Sequence, residues 1–485
     1  YPPVGLLTVA AMLPKDWHLT LVDRNIRDIS EAEWQSAELV MISAMIPQKE
    51  DFHVLVKEAK KRGKAVVIGG AYPSALPDEA GSSGADYSVL NEGEITVPLF
   101  LKAFAEGETH GVYRTHEKPD ITHTPILRYD LINLHDYAFL SIQYSRGCPF
   151  LCEFCDIITL YGRKPRVKTP EQMISEFESI YNLGWRGVVS IIDDNFIGNK
   201  RHVKSFLLAL KAWMIEKQYP FIFVTEASLD LASEPELLTL MAECNFKGVF
   251  LGIETPDEDS LLVAKKSQNM RSPMMDSINK IYQAGLTITA GMVIGFDGER
   301  KEAGQRIVDF LEQAAIPVAN FGILQALPTT ALWTRLEKEQ RLLSDMGDGI
   351  STKPMNFIPS RPATEIIEEY VDANWQLYEP KAYLNRIFRH CKQVNIIQNG
   401  SIKALDKQEF RLRLKQIDRH IFAFFGSIFW QHGVILESRY DFWKYLAHFL
   451  FNKPSAILPF LFNCALYEDL DEHRDILLAL KDRNS

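Results

Sequence analysis

Cysteine is scarce in this chain, with six in 485 residues, too few and too unevenly spread for a disulfide framework. A reducing cytoplasm is the expected compartment. Long apolar runs are missing too: the longest candidate, Ile421 to Trp430, falls short of the ~18 residues that a membrane span requires. No secretory signal is recognisable. Positive charge is not in excess, since 53 Lys and Arg face 63 Asp and Glu for a net charge of −10, so a general nucleic-acid surface is not expected. The opening Tyr1-Pro-Pro-Val4 has no methionine, and the first domain is expected to lack its first strand. What remains, 46% hydrophobic and 24% charged, describes a globular protein large enough for several cores.

Against that scarcity, three of the six cysteines fall within Arg146-Gly-Cys-Pro-Phe-Leu-Cys-Glu-Phe-Cys155. Cys148, Cys152 and Cys155 form the pattern C-x3-C-x2-C. Thiolates bind iron and zinc, so one short loop bearing three of them is a candidate metal centre. A zinc site needs a fourth ligand, for which His135 and Asp156 are nearest. An iron-sulfur cluster held by only three thiolates leaves one iron open, whereas ordinary four-iron clusters take a fourth Cys. Buried structural cysteines would not need the spacing at all. Cys391 and Cys464 read as small buried hydrophobes.

Up to about residue 105 the sequence alternates apolar runs with helical patterns. Leu19–Asp23, Leu39–Ser43, Ala65–Gly69 and Asp86–Leu90 read as buried parallel strands, with Val4–Leu13 and Glu50–Arg62 as helices. Such alternation predicts a doubly wound sheet with ligands at the carboxyl ends of its strands. Ser43, Gly69-Gly70 and Glu92-Gly93 fall there, and the small residues allow close approach to the backbone. Residues 106–120 break the pattern and residues 121–136 read as a linker.

A second alternating series follows. Strands are expected at Phe139–Tyr144, Gly187–Ile192, Phe221–Glu226, Gly248–Ile253, Thr287–Ile294 and Asn320–Gln325, with helices between them and a closing helix at Thr330–Arg341. Six strand-helix units predict a partial (β/α)6 TIM barrel over residues 137–350, with the cysteine loop after its first strand. Acidic residues recur at the other strand ends: Asp193 and Asp194, Glu226, and Glu254. Each alone could be an ordinary helix-start charge. Arg163, Lys164, Arg166 and Lys168 form a basic patch that is either a solvated loop or a neighbour of the cofactor. Beyond residue 351 helices are expected at Glu365–Tyr378, Leu384–Asn395, Gln408–Phe425 and Tyr440–Phe451, dense in Phe, Trp and Tyr. This C-terminal helical domain either packs its own core or offers an apolar substrate pocket.

The cysteine loop, after a strand-like segment, resembles the signature of the radical S-adenosylmethionine (radical SAM) superfamily. The chain as a whole resembles class B, cobalamin-binding-domain radical SAM proteins, a group that includes hopanoid C-2 methylases. The resemblance implies a Rossmann-like cobalamin-binding domain over residues 1–120 and a [4Fe-4S] cluster on Cys148, Cys152 and Cys155, whose open iron chelates S-adenosyl-L-methionine. It places Asp193 and Asp194 near the methionine ammonium and Glu226 and Glu254 near the ribose. Gly291, Gly295 and Glu299, in Gly291-Met-Val-Ile-Gly-Phe-Asp-Gly-Glu299, resemble an adenine-side motif, and Gln325 and Pro328 the last adenine-side segment. The implied activity is methyl transfer from cobalamin to an unactivated carbon after a 5'-deoxyadenosyl radical has removed hydrogen. The implied partners are a small-molecule substrate and a reductant such as flavodoxin or ferredoxin. Two departures stand out: Gly-Gly-Glu is absent after the second barrel strand, and Asn25 occupies the place of the family's cobalt-ligating His. Ring formation or rearrangement without methyl transfer is an alternative, as is a non-catalytic cobalamin or cluster sensor.

Overall fold

A computed structural model describes residues 1–343, 355–396 and 419–484. The chain divides into two compact units. The first comprises Tyr1–Pro149, Asp156–Leu210 and Pro328–Thr330; the second comprises Phe150–Cys155, Lys211–Leu327 and Ala331–Ser485. The expected boundary at residues 350 and 351 lies outside the described residues.

In the first unit, strands β1 (Leu39–Ser43), β2 (Ala65–Gly69), β3 (Tyr87–Val89) and β4 (Gly111–Tyr113) lie in that order and pair in parallel. The two-residue period of β2 builds two cores. Val66 and Ile68 join Trp34, Phe52 and Tyr72, while Val67 joins Tyr87, Val97 and Phe100. A sheet covered on both faces needs an apolar residue at nearly every position, and Ala-Val-Val-Ile supplies it. Helix Lys49–Lys61 turns Phe52, Val56 and Ala59 inward at helical spacing and stops at Gly63, whose φ is +70°.

Two expectations fail in this sheet. Leu19–Asp23 forms no strand, because Asp23 folds its Oδ1 back on the N–H of Asn25 and starts a turn. Conversely, Gly111–Tyr113, in the stretch read as patternless, forms the edge strand beside β3. The same unit carries β5 (Phe139–Ile142) and β8 (Val188–Ile191), paired in parallel, and a short antiparallel pair of β6 (Ser145–Arg146) with β7 (Arg166–Val167). Helix Pro170–Asn182 lies between β5 and β8 in the chain as expected, with Thr169 capping the N–H of Gln172 and Pro170 in the first turn.

In the second unit β9 (Ile222–Ala227), β10 (Phe246–Glu254), β11 (Thr287–Ile294) and β12 (Val318–Ile323) pair in parallel, each with the next in sequence. All six strands expected in the second series therefore form, each within two residues of its expected limits. Helices Lys200–Glu216, Pro235–Glu243, Met274–Gln283 and Ala303–Ala314 fill the expected positions, and Ala331–Lys338 is the closing helix. The C-terminal region is helical, with Ala363–Leu377, Pro380–Gln393, Arg419–Trp430, Arg439–Asn452, Ile457–Ala465 and Tyr467–Asn484. Of the helix expected at Gln408–Phe425, residues 408–418 lie outside the described residues. Part of the aromatic density is core: Phe442 and Phe449 both pack on Phe460. The other side of Arg439–Asn452 exposes Tyr440, Trp443 and Phe451. No helix among the described residues is long and apolar enough to cross a membrane.

Candidate active site

In the first unit, the chain leaving β5 is fastened by the acidic pair after β8. Asp193 Oδ1 accepts from the N–H of Tyr144 and its Oδ2 from the Ser145 hydroxyl, both at 2.7 Å. Asp194 accepts from the N–H of Gly147 at 2.9 Å. Gly147 has φ +95°, and an added Cβ would sit 2.7 Å from the carbonyl oxygen of Gly162, so only glycine fits this entry to the cysteine loop. The N–H of Cys148 bonds that same carbonyl. Burial pushes Asp193 up to about 7 against the hydrogen bonds it accepts, and Asp194 up to about 6. Expected beside a methionine ammonium, these carboxylates stand where they also shape the loop backbone.

The residues expected on the cobalamin side lie at the ends of β1 to β3. A Cβ on Gly69 would meet the Val89 carbonyl oxygen at 2.8 Å, and one on Gly70, at φ +91°, would overlap the Ser43 hydroxyl. Ser74, which no sequence pattern marked, ties two strand ends by donating to Gly70 O at 2.7 Å and accepting from Asn91 N at 2.8 Å. Glu92 is buried and already held: Arg146 and Arg166 donate to it at 2.9 Å, with Lys118 at 3.9 Å. Gly93 opens helix Gly93–Ala105 immediately after it. Glu94 pairs with Arg146 as well. Half the basic patch is thus committed, with Arg166 on Glu92 and Lys168 on buried Glu176, while Arg163 and Lys164 are exposed. Asn25 turns its amide onto Asp23, which also accepts from the Tyr137 hydroxyl.

In the second unit, the cysteine loop is gripped at Glu153. Its N–H donates to Ala264 O at 3.0 Å, its carbonyl accepts from Leu332 N at 2.8 Å, and Arg335 pairs with its buried carboxylate at 2.7 Å. Arg335 also reaches Asp297, in the loop after β11, at 2.7 Å. That loop is closed by Glu299, whose Oε2 accepts from Gly295 N at 3.0 Å and from Arg361 at 3.2 Å. Burial pushes Glu299 up to about 7. Gly291 leaves room for Phe250, whose ring would lie 2.8 Å from a Cβ there, and Gly295 has φ +102°.

The end of β10 is distorted. Register shifts between Gly252 and Glu254, and Glu254 takes φ +67°, a conformation that non-glycine residues adopt at a cost and that marks many functional sites. Glu254 is buried against Lys266, and a Cβ on Gly252 would lie 2.5 Å from the carboxylate and 2.6 Å from the ammonium. Burial works against the Lys266 charge, but Glu254 and the nearby Cys152 and Cys155 sulfurs outweigh it and raise its pKa. Gln268 Nε2 lies 3.4 Å from Cys152 Sγ, and Asn269 Nδ2 donates to Gly252 O and Ile253 O. Oε1 of Gln268 and Oδ1 of Asn269 are buried with no partner among the described residues, each at a cost of about 1–3 kcal/mol if left so. Lys266, Gln268 and Asn269 sit in a turn without periodicity, and only tertiary structure reveals them. Glu226, on β9, is exposed.

The donor set fits an iron-sulfur cluster. Cys148, Cys152 and Cys155 are half-buried, whereas burial pushes the thiols of Cys244 and Cys391 up to about 12 and raises that of Cys464 well above its ordinary value. Metal ligation requires thiolate, so the loop cysteines are the suited ones. Among the described residues no three His, Cys, Asp or Glu side chains close on one point as they would around a single zinc ion, and His135 is exposed. A cubane spreads its thiolates over separate irons and does not ask for such closure.

Comparison with known proteins agrees with this geometry. Residues 1–101 match the family described as B12 binding domain, residues 142–311 the Radical SAM superfamily, and residues 330–481 a domain of unknown function, DUF4070. An uncharacterized methyltransferase of Synechocystis sp. is 51% identical over 98% of this chain and 87% of its own. The hopanoid C-2 methylase of Rhodopseudomonas palustris is 34% identical over 92% of this chain and 82% of its own. Among solved structures, the radical S-adenosylmethionine methyltransferase TsrM of Kitasatospora setae superimposes with a TM-score of 0.61 at 16% identity, covering 70% of this chain and 73% of TsrM, a likeness of fold. With a [4Fe-4S] cluster, S-adenosyl-L-methionine and cobalamin as its cofactors, the chain belongs to the cobalamin-dependent radical SAM methyltransferase family.

Proposed function

We propose that this enzyme methylates an unactivated carbon of an apolar, polycyclic lipid of the hopanoid class. The observation that carries the reading is the 34% identity to a hopanoid C-2 methylase across 92% of the chain, which takes in the C-terminal region as well as the cofactor-binding parts. When bound, the three cofactors supply the radical that removes hydrogen from carbon and the methyl group that replaces it. The protein's part is position and exclusion of water. Cys148, Cys152 and Cys155 hold the cluster, and Asp193 and Asp194 fix the backbone that enters their loop. Glu254 and Glu299, with Gly291 and Gly295, line strand ends suited to the ribose and adenine of S-adenosyl-L-methionine. Glu226, exposed at the end of β9, is a second acceptor for that nucleoside. Ser43, Gly69, Gly70 and Gly93, at the carboxyl ends of β1 and β2 and the start of helix Gly93–Ala105, form the cobalamin side, and Glu92 braces the arginines beside it. The enzyme works in the cytoplasm, reduced by a carrier such as flavodoxin or ferredoxin.

The test is an anaerobic reaction of reconstituted protein with hydroxocobalamin, a strong reductant, a pentacyclic hopanoid and S-adenosyl-L-methionine labelled in its methyl group. Labelled, methylated hopanoid together with 5'-deoxyadenosine, both lost in Cys152→Ala, is the expected result. Deoxyadenosine with an altered but unlabelled product would replace methyl transfer by rearrangement chemistry. An intact cluster with no cleavage at all would leave a sensor.

A further inference from the structure

We infer that Gln268 is a positioning residue that sets the reduction potential of the cluster by donating an amide hydrogen bond to the sulfur of Cys152. A ligating thiolate has no proton to give, so the amide must face it with nitrogen. The structure has it so, with Nε2 at 3.4 Å from Sγ and Oε1 turned away into a buried place without a partner among the described residues. Gln268 is 4% exposed.

The contact is held from both sides. The turn Ser267–Met270 that carries Gln268 is tied to the distorted end of β10 by the two bonds from Asn269 at 2.9 and 3.0 Å. The loop that carries Cys152 is tied to the chain three residues before that turn by the bond from Glu153 N to Ala264 O at 3.0 Å. Neither partner can drift without breaking one of these bonds. Lys266, two residues earlier, lies 5.8 Å over the ring of Phe154 and is neutralised by Glu254. Beside the charge of Lys266, the hydrogen bond from Gln268 is a second local influence on the sulfurs, and one that a single substitution removes.

Hydrogen bonds to cluster sulfurs stabilise the reduced, more negative state and raise the potential. Entry to catalysis is a one-electron reduction of the cluster by an external low-potential donor, so the bond makes that electron easier to deliver. No other bond forms or breaks in this step.

The experiment is an EPR-monitored redox titration of anaerobically reconstituted holoenzyme, with iron and sulfide counted on each sample. Gln268→Leu removes the donor, and Gln268→Asn withdraws it by one methylene while keeping an amide. Both are expected to move the midpoint to a more negative potential at unchanged iron content. Gln268→Leu should also erase one exchangeable proton coupling from the ENDOR spectrum of the reduced cluster in D2O exchange. An unchanged midpoint in both variants, or an unchanged proton coupling in Gln268→Leu, overturns the assignment. If Gln268→Leu fails to take up iron, the Asn variant decides by its midpoint alone.

Discussion

Gly252 is the residue on which the buried pair beside the cysteine loop depends. Its missing side chain leaves the space in which Glu254 and Lys266 meet, and an added methyl would press on both charged ends at 2.5 and 2.6 Å. Gly252→Ala is expected to destabilise the protein by about 1–3 kcal/mol, read as a shift in the urea midpoint. Arg335 makes the matching case on the other side of the loop. Arg335→Met leaves the carboxylate of Glu153 buried without its cation, and Asp297 keeps only Arg341. Its expected cost is about 1–3 kcal/mol, reduced from the value for a fully buried pair because Arg335 is partly exposed. Hydrogen exchange at Leu332 and Glu153, whose backbones bond each other, should accelerate in this variant.

Among the elements, helix Pro380–Gln393 shows how the C-terminal region is fastened within its unit. Arg386 and Arg389 both pair with Glu312, and His390 Nδ1 lies 3.1 Å from Ala315 O with its ring against Tyr282. Burial lowers the His390 pKa from 6.5 to about 4. The folded state therefore resists the proton that the unfolded chain accepts. Stability is full above about pH 6.5 and falls as the pH drops toward about 4, by up to about 3 kcal/mol from this group. Urea midpoints at pH 7 and pH 5 should differ less in His390→Gln than in the parent protein.

The sequence made the repeating elements legible because buried parallel strands must be apolar throughout. Ala65–Gly69 and Thr287–Ile294 form at the residues expected. It misled at Leu19–Asp23, where apolar residues end in an Asp that prefers a local turn, and at Gly111–Tyr113, where a three-residue edge strand leaves Val112 65% exposed and shows no core pattern. At the site, the thiols and strand-end acids could be picked out because they lie next to regular elements. Gln268, Asn269, Arg335 and Ser74 could not, since their partners are remote in sequence and their own neighbourhoods have no period. What those residues touch is decided only when strands and turns have been brought together.

At the scale of the whole molecule, the two units are not successive pieces of chain, for the segment Phe150–Cys155 belongs with residues 211 onward rather than with its immediate neighbours. Synthesis on the ribosome is vectorial, and this order of parts sets a timetable for it. A nascent chain made only as far as Leu210 already carries all three loop thiols, yet Ala264, Leu332 and Arg335, which hold Glu153 between two of them, have not been made. Through that interval the thiols have no finished site and are open to oxidation or to stray metal. Iron-sulfur assembly is then expected to follow the emergence of Arg335. A fragment ending at residue 210 should accordingly bind little iron on reconstitution, although it contains every cysteine of the motif, and iron analysis beside the full chain would show it.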